Sequence, residues 1–451
     1  MDKLAASSMQ PAKQLQQSGQ AQTISPSINH HTNLRIMISD QETTPNNQNQ
    51  QPLSTQPPKY GSPNITLTDD GLIEETLINY FKELFTTQET HNIDQTVAVV
   101  KNRINSDMQE YMITNYIEDE VHQDIKSMKG LAAPGPDGLP TIFYHNYWDV
   151  IGKEVTEAFL NVLNNDGDPN SYNSTHICLI PKIKQPLTPG DYRPISLCNV
   201  IYKIITKTIA SRLKTILPKV ISQNQSAFLQ DRLITDNTLV AYEIFHYFKH
   251  TNTKTGFTGI KTDMAKAYVR VEWSFLRATL ESMGFPQKMT NTILKCVSTV
   301  QFSILINGCP SKPFSPKRGL RQGDPLSPYL FILCDDVLSG LITQAQQKKL
   351  IHGVKIAPRA PEITHLLFAD DSLFFCRAAK EEVTNIKNLN SEYQVASGQL
   401  VNMNKSEIIY SKKVPKATKK EITDIFPMKR VDHFSKYLGM PTDMADKKTS
   451  F

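Results

Sequence analysis

Two adjacent acids separate two apolar runs in the stretch His365-Leu366-Leu367-Phe368-Ala369-Asp370-Asp371-Ser372-Leu373-Phe374-Phe375-Cys376. Each run has the length of a β-strand, so the pattern predicts a β-hairpin with Asp370 and Asp371 at its turn. Two carboxylates this close repel each other and raise each other's pKa unless a cation lies between them. An ordinary turn that contains Asp would explain the same residues without any function. The stretch alone therefore leaves a cation site and a plain turn as alternatives.

A third carboxylate favours the cation site. The segment Gly259-Ile260-Lys261-Thr262-Asp263-Met264 is typical of a short strand that ends on an acid, and a helical pattern through Trp273, Leu276 and Leu280 follows it. Asp263 beside the hairpin acids would provide ligands for two divalent cations about 4 Å apart, which activate an attacking oxygen and stabilise a leaving oxygen in phosphoryl transfer. Mg²⁺ suits such a site because it prefers carboxylate and phosphate oxygens and keeps several waters.

A second pair of adjacent acids, Asp335 and Asp336, lies in a different pattern. The apolar residues around this pair repeat at helical spacing: Leu330, Phe331, Leu333, Cys334, Val337, Leu338 and Leu341. The periodicity puts both acids on the other face of the helix and predicts that they are solvated.

Composition limits the class of protein. The chain has 451 residues, 39% hydrophobic and 21% charged, with a net charge of +5, a balance compatible with nucleic-acid binding. No apolar run approaches the roughly 20 residues of a membrane-spanning helix, and no secretory signal is recognisable. The cysteines show no CxxC spacing, so reduced thiols of an intracellular protein, most of them buried, are expected. They are Cys178, Cys198, Cys296, Cys309, Cys334 and Cys376.

The first 60 residues differ from the rest of the chain. Gln, Asn, Ser, Thr and Pro dominate there, and no aromatic residue precedes Tyr60. Such a segment cannot bury enough apolar area to offset its ordering entropy, so residues 1–60 are predicted to be disordered.

From Gly71 onward, apolar residues recur at the spacing of helices and strands. A first helix is indicated by Leu72, Ile73, Leu77, Phe81, Leu84 and Phe85. Further helices are expected over 118–128 and 142–163, on either side of a turn cluster at 134–138. A strand is expected over 175–180 and a basic amphipathic helix over 199–217. Its basic side chains are expected on the outer face: Lys203, Lys207, Arg212 and Lys214.

An ordered set of short motifs connects these segments. The motifs are Ala133-Pro134-Gly135-Pro136-Asp137-Gly138, Leu179-Ile180-Pro181-Lys182, Tyr192-Arg193-Pro194-Ile195-Ser196-Leu197, Gln225-Ser226-Ala227-Phe228, Asp263 with Lys266-Ala267-Tyr268, Arg318-Gly319-Leu320-Arg321-Gln322-Gly323-Asp324-Pro325-Leu326-Ser327-Pro328 and Phe368-Ala369-Asp370-Asp371. In this order they resemble the reverse transcriptase of non-LTR retrotransposons of the plant long-interspersed-element type. The resemblance runs from about Gly71 to the C-terminus and is densest between Pro134 and Asn404.

The resemblance implies an α+β, right-hand polymerase fold with fingers and a palm, in which an antiparallel palm sheet packs on helices. The expected division is a tail at 1–60, a helical lead-in at 61–130, fingers at 131–258, a palm at 259–410 and, at 411–451, a connection toward a truncated thumb. The thumb is expected to be largely missing because the chain ends soon after the motif at 437–441.

The resemblance also implies that Asp263, Asp370 and Asp371 are the catalytic, metal-binding acids. These are the carboxylates that the residue pattern had already grouped. The backbone carbonyl of Met264 is expected as a further metal ligand. Two Mg²⁺ ions are the expected cofactor, with Mn²⁺ as an alternative ion.

Three basic residues are implied to contact the nucleotide's phosphates. Arg193 and Lys182 match finger positions at the triphosphate, where Arg clamps phosphate oxygens and Lys supplies a point charge. Lys405, in the motif Gly398–Lys405, is expected near the leaving pyrophosphate. A solvated basic surface explains the same residues without a ligand, and it also explains the basic run Lys412–Lys420, for which nucleic-acid binding and a nuclear address are the alternatives.

Three further residues are implied to contact the sugar and the bases. Tyr268 matches the position below the incoming sugar, where its ring would clash with a 2′-hydroxyl and favour deoxynucleotides. Gln322 and Gly323 lie in the loop that underlies the templating base and the nucleotide. The structural alternatives are a core tyrosine and an ordinary Gly/Pro turn.

The implied activity is that of an RNA-directed DNA polymerase, a nucleotidyltransferase that uses an RNA template, a DNA primer and dNTPs, although DNA-templated synthesis stays open. A nuclear location is expected from the lifestyle of such elements, without a clear signal, and no membrane association is expected. Endonuclease, ribonuclease H and Cys/His-knuckle motifs are not recognisable. Two departures from the family pattern, Val269 in place of Asp and Ala132 in place of Lys, favour the alternative of a catalytically inactive, nucleic-acid-binding remnant.

Overall fold

The computed structural model describes residues 36–38, 65–67 and 69–442. The first two segments pair as antiparallel strands, β1 (Ile36–Ile38) and β2 (Ile65–Leu67). The tail predicted to be disordered lies outside the described residues except at β1. The predicted connection over 411–451 is described as far as Thr442.

Residues 70–164 form six α-helices. They are α1 (Asp70–Leu84), α2 (Ile93–Val97), α3 (Ser106–Ile113), α4 (Glu118–Ser127), α5 (Thr141–Asn146) and α6 (Trp148–Asn164). Asp69 precedes helix α1 and caps it, because its carboxylate accepts a hydrogen bond from the Leu72 N–H at 2.9 Å. The helices expected near 72–85 and 118–128 are confirmed. The single helix expected over 142–163 is wrong, because the backbone leaves helical geometry at Tyr147 (φ −112°, ψ 16°) and divides it into α5 and α6.

Residues 174–442 contain both strands and helices. In chain order they are β3 (Ser174–Pro181), β4 (Tyr192–Cys198), α7 (Val200–Val220), α8 (Ile234–His250), β5 (Phe257–Asp263), α9 (Ala267–Arg270), α10 (Trp273–Met283), α11 (Gln287–Ser298), β6 (Gln301–Ile306), β7 (Cys309–Pro310), α12 (Ser327–Gln347), β8 (His365–Phe368), β9 (Asp371–Arg377), α13 (Lys380–Ser397), β10 (Glu407–Tyr410), α14 (Lys416–Ile425), β11 (Lys429–Arg430), β12 (Lys436–Tyr437) and β13 (Met440–Pro441). The strand expected over 175–180 and the helix expected over 199–217 are confirmed.

Two sheets organise this region. A four-stranded sheet has the order β4-β3-β6-β7, and a five-stranded sheet has the order β11-β10-β5-β9-β8. Strand β5 is central in the second sheet and antiparallel to both β10 and β9, while β8 and β9 form the predicted hairpin. The mixture of helices and sheets agrees with the α+β class. The division into fingers and palm stays a prediction.

The five-stranded sheet is covered on both faces, as the alternation of side chains along a strand requires when both faces are apolar. Ile260 and Phe374 face the main hydrophobic cluster, which includes residues of α12 and α13. Leu373 and Phe375 face a separate cluster with Phe248 of α8. Burial on both sides fixes the register of β5 and β9, because a slip by one residue would turn every side chain to the other face.

Two predictions about surface charges are wrong. Asp335 and Asp336 are 2% and 0% exposed, because α12 contacts α10, α13, α7 and β8, so the face that carries the two acids also meets protein. Arg212 is 4% exposed rather than solvated. Its Nη2 donates to Glu120 at 2.7 Å, and its guanidinium lies 3.5 Å from the centre of the Tyr116 ring.

The other composition-based expectations concern thiols and membranes. All six cysteines are free, and four are buried, whereas Cys178 is half-buried and Cys309 is exposed. Within the described ranges, no helix combines the length and the apolar character of a membrane span.

Candidate active site

Strand register brings the predicted acids to one end of the five-stranded sheet. Asp263, the last residue of β5, lies directly opposite Asp371, the first residue of β9. Residues in this relation have Cβ atoms about 4.5–5.5 Å apart. Asp371 also pairs with Phe368 across the hairpin, so Ala369 and Asp370 form the two-residue turn between β8 and β9. The three acids therefore belong to one end of the sheet.

The electrostatics agree with this proximity. Burial raises the pKa of Asp370, and the negative charge of Asp263 raises it further, while Lys405 opposes the shift. Burial likewise raises the pKa of Asp371, with contributions from Asp370 and Asp263, while Lys261 opposes it. Crowded, partly desolvated carboxylates hold their protons more tightly unless a cation neutralises them. The end of the sheet is thus an electrostatically favourable place for a cation.

The donor set fits a divalent cation only in part. In the stretch that the structure describes, no group of three or more His, Cys, Asp or Glu side chains is arranged so that it could hold a metal ion. Mg²⁺ is usually bound by one or two carboxylates together with substrate phosphates and waters, rather than by protein ligands alone. Asp263 and the hairpin acids would supply the protein's share of such a shell if Mg²⁺ bound here together with a nucleotide.

The backbone carbonyl of Met264 is directed toward the same end of the sheet. The Asp263 carbonyl accepts from the Asn402 N–H at 2.8 Å, and the Ala265 N–H donates to the Leu400 carbonyl at 2.7 Å. Successive residues of an extended chain direct their backbone groups to opposite sides. The Met264 carbonyl therefore points away from residues 400–402 and toward the β8–β9 hairpin.

The predicted phosphate-binding residues lie on the side of the acids. Burial lowers the pKa of Lys182, and the charges of Lys405 and Arg193 lower it further, whereas Asp191 and Asp263 raise it. Lys182 follows β3, and Arg193 lies on β4 opposite Ile180. The structure thus brings Lys182, Arg193 and Lys405 into one electrostatic neighbourhood with Asp263. Such a cluster favours an anion.

Tyr268 lies between the acids and α12. Its ring stacks on Phe331 with centroids 4.9 Å apart and an angle of 11° between the planes. Burial raises the pKa of its phenol, and the charge of Asp370 adds to the shift. The residue is half-buried, so part of it is accessible while the ring is held against Phe331.

The loop before α12 is attached to β4. The Ser196 N–H donates to the Gln322 carbonyl at 2.8 Å. Gly323 has φ +113°, and a Cβ at this position would lie 3.0 Å from the Ser196 carbonyl oxygen, so a glycine is required. The side chain of Gln322 is exposed. The loop therefore approaches the strand that carries Arg193 closely through its backbone.

Sequence reasoning did not identify Tyr80 and Lys266 as neighbours of the site. The Lys266 ammonium donates to the Tyr80 hydroxyl and lies 4.5 Å from the centre of its ring. Burial lowers the pKa of Lys266 to about 8, and the charges of Lys182 and Arg270 contribute. Lys266 could have been identified from the sequence, because it is a charged residue inside one of the motifs. No pattern in α1 indicated that Tyr80 lies near the site.

The departure at residue 269 places an apolar side chain in an apolar environment. Val269 is buried in an apolar cluster with Phe85 and Phe302. The neighbouring Arg270 has a buried Nε with no hydrogen-bond partner among the described residues. An unpaired buried donor is costly, and it lies on the short helix that follows Asp263.

Comparisons with known proteins agree with the motif order. A family model described as reverse transcriptase (RNA-dependent DNA polymerase) matches residues 180–442. The transposon TX1 uncharacterized 149 kDa protein of Xenopus laevis is 26% identical over 288 residues, which is 64% of this chain and 21% of that protein. The retrovirus-related Pol polyprotein from the type-2 retrotransposable element R2DM of Drosophila melanogaster is 24% identical over 312 residues, 68% of this chain and 27% of that protein.

A shorter relative is more similar in sequence. An uncharacterized mitochondrial protein of Arabidopsis thaliana is 57% identical over 68 residues, 15% of this chain and 56% of that protein. The chain thus spans between 21% and 56% of the length of these relatives. With more than half of its residues matched by the family model, the chain belongs to the reverse transcriptase family, as the reverse transcriptase domain of a non-LTR retrotransposon.

Proposed function

We propose that this chain is an RNA-directed DNA polymerase whose catalytic acids are Asp263, Asp370 and Asp371. The observation that carries the proposal is the register of β5 against β9, which brings Asp263 opposite Asp371 and next to the turn residue Asp370. A second observation supports it: the basic residues Lys182 and Lys405 act electrostatically on this acidic end of the sheet.

The reaction is nucleotidyl transfer. The 3′-hydroxyl of a DNA primer loses its proton to solvent water as its oxygen attacks the α-phosphorus of a dNTP, the bond from the α-phosphorus to the bridging oxygen breaks, and pyrophosphate leaves. Two bound Mg²⁺ ions, or Mn²⁺ in their place, would activate the attacking oxygen and stabilise the leaving oxygen. Asp263 and Asp370 would hold both ions, with the Met264 carbonyl and Asp371 in support. Catalysis then consists mainly of positioning and charge stabilisation.

The remaining residues of the site bind and orient the nucleotide. Arg193 and Lys182 bind the triphosphate, and Lys405 supplies a positive charge near the pyrophosphate as it leaves. Tyr268, held by its stacking on Phe331, selects against a 2′-hydroxyl. Gln322 and Gly323 support the templating base pair through the loop before α12.

The test is primer extension on a poly(rA)/oligo(dT) duplex with Mg²⁺ and dTTP. We expect wild-type protein to extend the primer and Asp370→Asn to abolish extension without loss of folding stability. The matched control is Asp149→Asn, which changes an exposed acid on α6 and should leave extension unchanged. Extension by Asp370→Asn at the wild-type rate would refute the assignment of the site.

A second function is favoured by one observation, the unpaired Nε of Arg270 beside Val269. The chain would then be a catalytically inactive, nucleic-acid-binding remnant. This alternative predicts that folded protein binds the duplex in a salt-sensitive way but shows no Mg²⁺-dependent synthesis.

The wider context is also a proposal. We assign fingers to residues 131–258 and a palm to residues 259–410, and we infer a plant retroelement whose product acts in the nucleus. The Arabidopsis relative, 57% identical over 68 residues, supports the plant assignment. Microscopy of a fluorescent fusion in plant cells tests the location.

A further inference from the structure

Gln225 is a buried residue whose amide is engaged at both ends. Its Oε1 accepts hydrogen bonds from the Ala227 N–H at 2.9 Å and from the Ala369 N–H at 3.2 Å. Its Nε2 donates to Oδ2 of Asp335 at 2.8 Å. The two backbone N–H donors require the amide oxygen, and not the amide nitrogen, on their side, so these contacts fix the orientation of the Gln225 amide.

The Ala369 N–H belongs to the turn that presents Asp370. Ala369 has φ +52°, a left-handed conformation that residues other than glycine adopt rarely. Such a conformation persists only where the surroundings over-determine it. Within the described residues, Gln225 is the side chain that accepts a hydrogen bond from this N–H.

The segment around Gln225 lies along β8 and is fixed to it. The Leu367 N–H donates to the Asn224 carbonyl at 2.8 Å, and the Ser226 N–H donates to the Leu367 carbonyl at 3.1 Å. Asn237 of α8 adds a bond from Nδ2 to the same carbonyl at 2.8 Å. Gln225 therefore reaches the turn from a rigid position.

Asp335 is the other end of this connection. It is buried on α12 and forms no ion pair with a described residue. Its neighbour Asp336 differs, because it pairs with Arg103 and accepts from the Ser222 N–H at 3.0 Å. A buried carboxyl group that no cation neutralises needs a hydrogen-bond partner, and among the described residues the Gln225 amide provides it.

We propose that Gln225 and Asp335 are positioning residues for the turn that carries Asp370: α12, through Asp335, orients the Gln225 amide, and this amide holds the Ala369 N–H. Neither residue contacts substrate, and their effect on synthesis rests on the proposed polymerase function. Displacement of a reacting group by about 1 Å can cost about 100-fold in rate. Loss of the connection should therefore lower kcat and leave nucleotide binding unchanged.

The experiment compares Gln225→Ala and Asp335→Leu with Asp335→Asn, which keeps an oxygen for the Gln225 amide. We expect the first two to lower kcat about 10- to 100-fold, with KM for dTTP within about twofold of wild type, and Asp335→Asn to retain near wild-type kcat. The matched control is Asp336→Asn, on the same helix, which should lose stability without any change in kcat of the folded protein.

Two readouts do not depend on activity. Hydrogen exchange of the peptide 365–373 should accelerate in Gln225→Ala and not in Asp336→Asn, and Mn²⁺ binding measured by electron paramagnetic resonance should weaken in parallel. If wild type fails to synthesise DNA, the proposed function fails, and exchange and Mn²⁺ binding still decide the positioning role. The positioning role would be overturned if Gln225→Ala and Asp336→Asn showed equal hydrogen exchange and equal Mn²⁺ binding. It would also be overturned if Asp335→Asn lowered kcat as much as Asp335→Leu does.

Discussion

The protonation of Asp335 is expected to make the stability of the protein depend on pH. Burial raises its pKa to about 8, whereas an Asp in an unfolded chain has a pKa near 3.9. Between these values the folded protein keeps a proton that the unfolded chain releases, so stability falls as pH rises from about 4 to 8 and is level above that. Asp335→Asn removes the titratable group and with it this pH-dependent contribution to stability. We expect the melting temperature of Asp335→Asn, relative to wild type, to be higher at pH 8 than at pH 5.

Thermal unfolding of both proteins at the two pH values checks this prediction. Asp336→Asn serves as the comparison, because Asp336 has Arg103 as a partner. A difference between Asp335→Asn and wild type that does not change with pH would show that Asp335 is ionised throughout this window.

Tyr268 provides a residue-scale test of substrate choice. The ring is held against Phe331, so its position does not depend on the hydroxyl. Under the proposed function, Tyr268→Ala opens space for a 2′-hydroxyl and should lower the preference for dTTP over UTP about tenfold or more, a typical size for a steric term in a pocket. Tyr268→Phe should keep the preference. The ratio of kcat/KM for dTTP and UTP measures this preference. An unchanged ratio in Tyr268→Ala would show that the ring has a packing role in the core and no role in nucleotide selection.

At the scale of elements, the loop before α12 depends on a glycine. Gly319 has φ +97°, and a Cβ there would lie 2.6 Å from the Val269 carbonyl oxygen. Gly308 also has a positive φ, +85°, but a Cβ at residue 308 would have no atom within 4 Å. Both alanine variants carry backbone strain of about 1 kcal/mol, but only Gly319→Ala adds a clash, so we expect it to lose at least about 3 kcal/mol. Urea unfolding of both variants measures the losses, and equal losses would contradict the prediction.

The sequence predicted single elements better than it predicted their surroundings. The hairpin at 365–376 and the strand before Asp263 follow from short strand-like segments that end at acids, and the structure has both. The solvation of Asp335 and Arg212 was predicted from helical periodicity, which identifies an apolar face but cannot tell whether the opposite face meets water. Helices α12 and α7 are packed against several other elements, so Asp335 and Arg212 are buried and have partners from distant parts of the chain.

The candidate site was predictable to the same extent. Asp263, Asp370 and Asp371 could be grouped because strand ends and turns are local features, and the register then brings them together. Gln225 and Tyr80 could not be assigned, because their relation to the site depends on how a loop and the first helix pack. The nucleotide-binding roles of Lys182, Arg193, Gln322, Gly323 and Lys405 stay predictions.

At the scale of the whole molecule, the core extends well beyond the family match. The match begins at residue 180, yet the main hydrophobic cluster includes Val100, Ile125 and Phe159. A second cluster joins α1 to β6, where the Phe85 and Phe302 rings have centroids 5.1 Å apart. The helices before residue 180 are therefore part of the same core as the strands that carry the acids.

Buried charges connect the same parts. Arg318, in the loop before α12, donates from Nη2 to the Leu84 carbonyl at 3.0 Å and from Nη1 to Glu272 at 3.1 Å. Glu272 also accepts from the Gln88 N–H at 3.0 Å. Removal of one partner from such a buried set typically costs about 3–5 kcal/mol. The segment after α1 thus helps to satisfy charges next to the candidate site.

We expect a chain that starts at residue 180 not to fold cooperatively. The deletion exposes Phe302 and the rest of its cluster, and it removes Leu84 and Gln88 from the buried charges. Each large apolar side chain contributes about 1.5–3 kcal/mol when buried, while a whole domain is stable by only about 5–15 kcal/mol, so the loss exceeds the margin. Near-ultraviolet circular dichroism and urea unfolding, with the full chain as control, measure the outcome. A sharp unfolding transition with a native near-ultraviolet spectrum would instead establish residues 180–451 as a separable domain, and the helices before them as an attachment to it.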